Sequence, residues 1–321
     1  MEPPPTEVAP APVLARPVRP AWSREPITAS SVLAHVAALP AGRAAREPAH
    51  EATRQLLRER LDGWGHDVLE QRFAWEGEPG LEFVNFEVRI PGEDPDGPVV
   101  LVGAHYDSVR WSPGADDNGS GTAIVLELAR RLAGRSLPAE VRLLWFDMEE
   151  RGMVGSRHYA LALPDEERAR LVGLVNLETV GYTDRRPGSQ TLPPGSSLLH
   201  DTGDVGDFVM VLGNQASAPF AGFVGLGLSA EAGDAMRVEV FSALPGAGWV
   251  MPDSRRSDHS SFWDIGVPAV MLTDTANFRN PNYHRRSDTV ETLDGEFLAA
   301  AARGVERAVL LLAVEGEAVG F

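Results

Sequence analysis

Val99-Val100-Leu101-Val102-Gly103-Ala104-His105-Tyr106-Asp107-Ser108 is the stretch that decides the fold, an apolar run ending in polar side chains able to do chemistry. Three more such punctuations follow, each beside an apolar run. Pro113-Gly114-Ala115-Asp116-Asp117-Asn118-Gly119-Ser120-Gly121 precedes a helical-looking segment, 122–131. Asp147-Met148-Glu149-Glu150 closes the strand-like 141–146, and Asn176-Leu177-Glu178 closes 171–175. Tyr283-His284 arrives much later. Together these pieces read as a metal site at the carboxyl ends of sheet strands.

Outward from that centre, strands and helices alternate: strand 99–102, helix 121–132, strand 141–146, helix 154–161, strand 171–175. That order predicts an α/β fold, a mainly parallel sheet with helices on both faces. Upstream, 30–39 and 49–64 read as helices, the second with apolar spacing at Ala52, Leu56, Leu57, Leu61 and Trp64 and a stop at Gly65. Residues 84–90 alternate apolar and polar, and the turn cluster 91–97 predicts a hairpin feeding the central strand. Downstream, 182–206 reads as a long loop. Strands are expected at 208–212, 237–241 and 267–272, and 246–257 is again loop. Residues 216–232 read as a helix weakened by glycines and Pro219. The chain closes with an amphipathic helix, 295–314, whose apolar face carries Leu298, Ala302, Val305, Val309 and Leu312.

The chain has 321 residues, 43% of them hydrophobic, enough to bury a large core. Residues 1–26 contain eight prolines and no hydrophobic periodicity, predicting a disordered leader before a single domain over 27–321. A formal charge of −17 argues against nucleic acid or an anionic membrane as partner. With no cysteine, thiolate chemistry is excluded, and any metal must be held by His, Asp and Glu. No apolar run approaches the roughly 18 residues of a membrane span, and no charged segment followed by an apolar one opens the chain. The expected location is the cytoplasm.

If the strand stays extended, His105 and Asp107 project to one side, and Asp107 can fix the imidazole's tautomer or brace a neighbouring loop. Asp116, Asp117 and Asn118 put more acceptor oxygens together than a helix cap needs, which is what a hard or borderline cation requires. Adjacent Glu149 and Glu150 can diverge, one toward a metal and the other toward water as a general base. Glu178 ends a strand whose tip reaches the same cleft. His284 lies in a turn-forming context unsuited to a core histidine.

These motifs, taken in order and joined by Phe146 to Ser156, Ser257-Asp258-His259 and Asp288-Thr289, resemble the co-catalytic di-zinc aminopeptidases of clan MH, the aminopeptidase S and aminopeptidase Y family. The resemblance covers about 49–293. It implies a three-layer α-β-α sandwich around a mixed, mainly parallel sheet, and an exopeptidase acting on peptides with a free N-terminus. It implies two zinc ions bridged by Asp117, one completed by His105 and Glu178, the other by Glu150 and His284. Glu149 becomes the general base, Tyr283 a donor to the oxyanion, and Asp107 the partner behind His105. The family most often has Asp where this chain has Glu178, which bears on metal affinity at that site.

Two readings compete with the aminopeptidase: a glutaminyl cyclase-like acyltransferase using one zinc, and a silent binding module on the same fold. His35, His50, His66, His158 and His200 read as structural, and Asp258-His259 as braces under the site. Trp249 and Phe278 are either cleft or core aromatics.

Overall fold

The computed structural model describes residues 25–194, 196 and 199–315. All of the proline-rich leader but Glu25 and Pro26 lies outside the described residues. Eight strands form one sheet: β1 (Val68–Ala74), β2 (Glu82–Ile90), β3 (Val99–His105), β4 (Glu140–Phe146), β5 (Leu171–Leu177), β6 (Phe208–Asn214), β7 (Arg237–Leu244) and β8 (Ala269–Thr273). Their order is β1-β2-β4-β3-β5-β8-β6-β7. The β4/β3, β3/β5, β5/β8 and β6/β7 pairs are parallel, while β1/β2, β2/β4 and β8/β6 are antiparallel, so the sheet is mixed and mainly parallel as expected.

Strand β3 shows why three layers form. Val100, Val102 and Ala104 join one apolar cluster and Val99 and Leu101 another, because successive side chains leave a strand on opposite faces. The first cluster is covered by α1 (Ala29–Ala38), α2 (Pro48–Gly63), α3 (Gly121–Leu132), α6 (Ala218–Ala232) and α8 (Gly295–Glu315). The second is covered by α4 (Val154–Ala162) and α7 (His259–Trp263), with the four-residue α5 (Asp165–Arg168) beside β5 in the chain. Among the described residues, no helix is long and apolar enough to cross a membrane.

One expectation is corrected. Residues 84–90 do not pair with the strand that follows. Strand β2 forms a hairpin with β1, pairs on its other side with β4, and the chain then passes beyond β4 to place β3. Most of β2 is buried, including Asn85 and Glu87, so its polar positions did not mark a solvent face. Strand β1, absent from the sequence reading, is a sheet edge whose one buried side chain is Phe73, too little to register as alternation.

The glycines that weakened the helix at 216–232 are what lets α6 pack. A Cβ on Gly227 would lie 2.5 Å from Ala308 on α8, and one on Gly304 would lie 2.7 Å from Leu228. The two helices therefore meet backbone to backbone.

Helix α1 is held on α3 by Glu127, which accepts from Arg130 at 2.9 and 2.8 Å and faces His35 Nε2 at 3.1 Å. Burial would raise the Glu127 carboxyl, yet Arg130 and His35 outweigh it and hold it down at about 2. A depressed carboxyl adds stability above its unfolded pKa and loses it as pH falls through the folded one. Glu127→Gln is expected to cost about 2 kcal/mol at pH 7, the gap to the native protein closing below about pH 4.5. Urea unfolding at pH 7 and pH 3.5 checks this, and a gap that ignores pH contradicts it.

Candidate metal centre

Strands β4, β3 and β5 run parallel side by side, so their carboxyl ends open into one crevice, where connections diverge and open α/β sheets place their sites. His105 is the last residue of β3. Glu149 and Glu150 sit in the single turn after β4, and Glu178 follows β5 directly. Asp117 comes from the irregular winding Ala115–Ser120 ahead of α3, and His284 from the segment after β8.

The predicted residues meet. His105 Nε2 lies 3.2 Å from Glu178 Oε2, 3.4 Å from Asp117 Oδ1 and 3.8 Å from Glu149 Oε2. His284 Nε2 lies 2.9 Å from Asp117 Oδ2 and 3.1 Å from Glu150 Oε2. Asp117 therefore shows one oxygen to each imidazole and belongs to two groups, His105-Asp117-Glu178 and Asp117-Glu150-His284. In each group the donor atoms lie within 4.8 Å of one another. Both Nε2 atoms and Asp117 Oδ2 are buried and, among the described residues, make no hydrogen bond. Buried polar atoms are nearly always satisfied, so converging orphans on nitrogen and carboxylate donors fit zinc.

The electrostatics agree. Burial would raise Asp117, but the two imidazoles hold it below the usual carboxylate range. Burial opposes a charge on His284, yet Asp117 and Glu150 push it up to about 10. Glu150 is raised to about 7 by burial and by the charge of Asp117. Glu149 is pushed well above the ordinary range by burial, His105 opposing and Glu178, Asp258 and Glu150 adding to it. Carboxyls this crowded resist ionising together, and a cation among them reverses that.

The model of peptidase family M28 matches residues 85–217 and 246–309. The chain belongs to peptidase family M28. It is 36% identical over 221 residues to the uncharacterized protein YfbL of Escherichia coli, covering 65% of this chain and 66% of that one. It is 32% identical over 220 residues to aminopeptidase YwaD of Bacillus subtilis, covering 66% of this chain but 40% of that one. The chain thus spans under two thirds of YwaD's length. Among solved structures, a zinc aminopeptidase from Bacillus subtilis aligns over 88% of this chain and 95% of its own, with a TM-score of 0.68 at 18% identity, a likeness of fold.

In this M28 chain the donors stand on a second tier of buried groups. Asp107 does both things the sequence allowed. Its backbone oxygen lies 3.2 Å and its carboxylate 3.3 Å from His105 Nδ1, although β3 ends at His105. The same carboxylate accepts from the backbone N–H groups of Glu149 and Glu150 at 3.1 and 3.2 Å. Asp116 faces away, accepting from Gly181 N and Asn280 Nδ2, which is why Asp117 alone points into the crevice.

Several members were missed from sequence. Asp288 accepts from the N–H groups of Asp116 and Asp117. The buried Arg43 guanidinium donates to the carbonyls of Tyr106, Pro113 and Gly114. Ser257 donates to Glu178 Oε2 at 2.7 Å and accepts from Asn176. Asp288 and Ser257 lie in motifs already singled out, whereas nothing near Arg43 marks it. His50, read as unremarkable, faces Asp147 Oδ1 at 2.7 Å, and Arg54 and Val84 N donate to the other oxygen.

Among the braces, His259 Nε2 meets Ser254 O at 2.7 Å, but the Asp258 carboxylate is buried and, among the described residues, makes no hydrogen bond. It stands near His105 and Glu178, raised to about 7 by burial against the pull of His105. His158 stacks on Phe73. Beside Glu178 and Tyr283 opens a cavity of about 810 Å³ including its mouth, walled by Met210, Leu212, Phe241 and Met271. Phe278 and His200 line it, so His200 is closer to the site than its sequence context implied. Trp249 is neither core nor among its lining residues; it is 68% exposed beneath the Arg255 guanidinium.

Removing one partner of a buried charge network leaves the others unpaired. Asp147→Ala is expected to destabilise the fold by about 3 kcal/mol, since it takes the buried carboxylate from His50, Arg54 and Val84 N, and is read by urea unfolding. A loss below about 1 kcal/mol, the scale of an exposed pair, contradicts the assignment.

Proposed function

We propose that this chain is a zinc-dependent aminopeptidase acting on peptides with a free N-terminus, with two zinc ions held by His105, Asp117, Glu150, Glu178 and His284. The observation that carries the reading is Asp117, whose two oxygens serve two donor groups at once. Family membership and the aminopeptidases among its relatives support the reaction class. Zinc in such a site polarises the scissile carbonyl and acidifies water.

The protein's own groups do the rest. Glu149 belongs to neither donor group yet lies 3.8 Å from His105 Nε2, the place for a general base beside the metals. Its raised pKa suits a carboxylate that takes a proton from the attacking water and returns it to the leaving amine. Tyr283 stacks on His284 at 4.0 Å and borders the cavity, from which its hydroxyl donates to the oxyanion. Asp107 holds His105 from behind. The apolar cavity takes the side chain of the N-terminal residue, and the surrounding carboxylates favour its ammonium group.

Glu149→Gln should lower kcat on leucyl 4-nitroanilide by about a thousandfold with zinc content intact. Retained turnover rejects the base. Dialysis against a chelator should abolish activity, and elemental analysis should find close to two zinc ions per chain. A single zinc with cyclisation of an N-terminal glutamine peptide establishes the cyclase instead.

A further inference from the structure

The loop read at 246–257 carries Arg256 immediately before its last residue, Ser257, which is bonded to Glu178. Arg256 borders the cavity together with Glu178 and Tyr283. Its Nη2 donates to the Tyr283 hydroxyl at 3.4 Å, and its guanidinium carbon lies 5.9 Å from the centre of that ring. The other arm is anchored, Nη1 donating to Asn277 Oδ1 at 2.8 Å, with Asp253 at 3.5 Å. The Tyr283 ring also lies against the His284 imidazole, 14° from parallel.

We propose that Arg256 is the positioning residue for Tyr283, fixing the phenol so that its O–H is left to donate to the substrate oxyanion. This rests on the aminopeptidase reading and on the role given there to Tyr283. A phenol has one proton to give and lone pairs to receive. Arg256, having no acceptor, occupies a lone pair and cannot take the proton. Among the described residues, the Tyr283 hydroxyl donates to no protein acceptor, so its proton is free for an oxyanion bound in the cavity it borders. A cation on the oxygen also makes the O–H a stronger donor, as charge assistance does generally. A planar guanidinium suits the task better than an ammonium because one arm can be tied to Asn277 while the other reaches the phenol.

The test is a double-mutant cycle on the zinc-loaded protein, using leucyl 4-nitroanilide, with zinc content and melting temperature measured for every variant. Tyr283→Phe should lower kcat by about a hundredfold, the scale of one lost oxyanion donor. Arg256→Met should lower kcat by about tenfold with KM within about twofold. In the Tyr283→Phe background the same change should have almost no effect, because the hydroxyl it served is gone. Arg256→Lys, which keeps the charge, should recover part of the loss and stands in should Arg256→Met not fold.

A second readout needs no turnover. Calorimetry should show the phosphonate analogue of leucine, whose tetrahedral oxygens imitate the oxyanion, binding about tenfold more weakly to Arg256→Met, while leucine binding is unchanged. An equal loss of kcat in both backgrounds, or a change confined to KM, overturns the proposal while leaving the aminopeptidase standing. A native protein that neither cleaves the anilide nor binds the phosphonate overturns both.

Discussion

Two imidazoles facing one buried carboxylate is the constraint on which the rest of the structure depends. Asp117 can show an oxygen to His105 and another to His284 only if the winding that carries it is held from several directions. Asp288 accepts its N–H, and Asn118 donates to the Leu177 carbonyl while accepting from Gly121 and Thr179. Arg43 gathers the carbonyls of Tyr106, Pro113 and Gly114, which lie between His105 and Asp117 in the chain. At Gly114, with φ of +68°, a Cβ would meet the Asp117 carbonyl at 2.7 Å, so the approach needs glycine.

The second consequence concerns charge. The crevice collects more carboxyls than the two donor groups contain, and the others act on the backbone. Asp107, Asp116, Asp274 and Asp288 each accept N–H groups from loops that carry donors or border them. Buried carboxylates are tolerable when so satisfied and costly otherwise. Asp258, among the described residues, lacks such partners, and burial raises it to about 7 against the pull of His105. Which carboxylate oxygens are left facing the crevice therefore follows from which are already occupied by N–H groups.

Much of this was legible in the chain. The alternation of apolar runs and helical segments from Val99 to Leu177 marked a parallel αβ core, and its polar ends marked the site. Less legible was everything dependent on partners distant in sequence. Strand β1 showed no pattern because it is an edge with a single buried side chain, and β2 misled because its neighbours are β1 and β4 rather than β3. His50 looked like any helical histidine until β4 brought Asp147 against it. Glycines in α6 read as weakness until α8 lay across them.

By itself, the sequence determined the class of sheet and the acids and imidazoles that gather beyond its strand ends, since periodicity and residue type are local properties. Only the tertiary structure decided that Asp117 faces the crevice while Asp116 turns away, and that His284, far along the chain from His105, stands across the same carboxylate. It alone placed Arg256 beside the Tyr283 hydroxyl. The reason is physical: a carboxylate's direction is set by the hydrogen bonds available to it, and those donors come from segments that meet only once the sheet has formed.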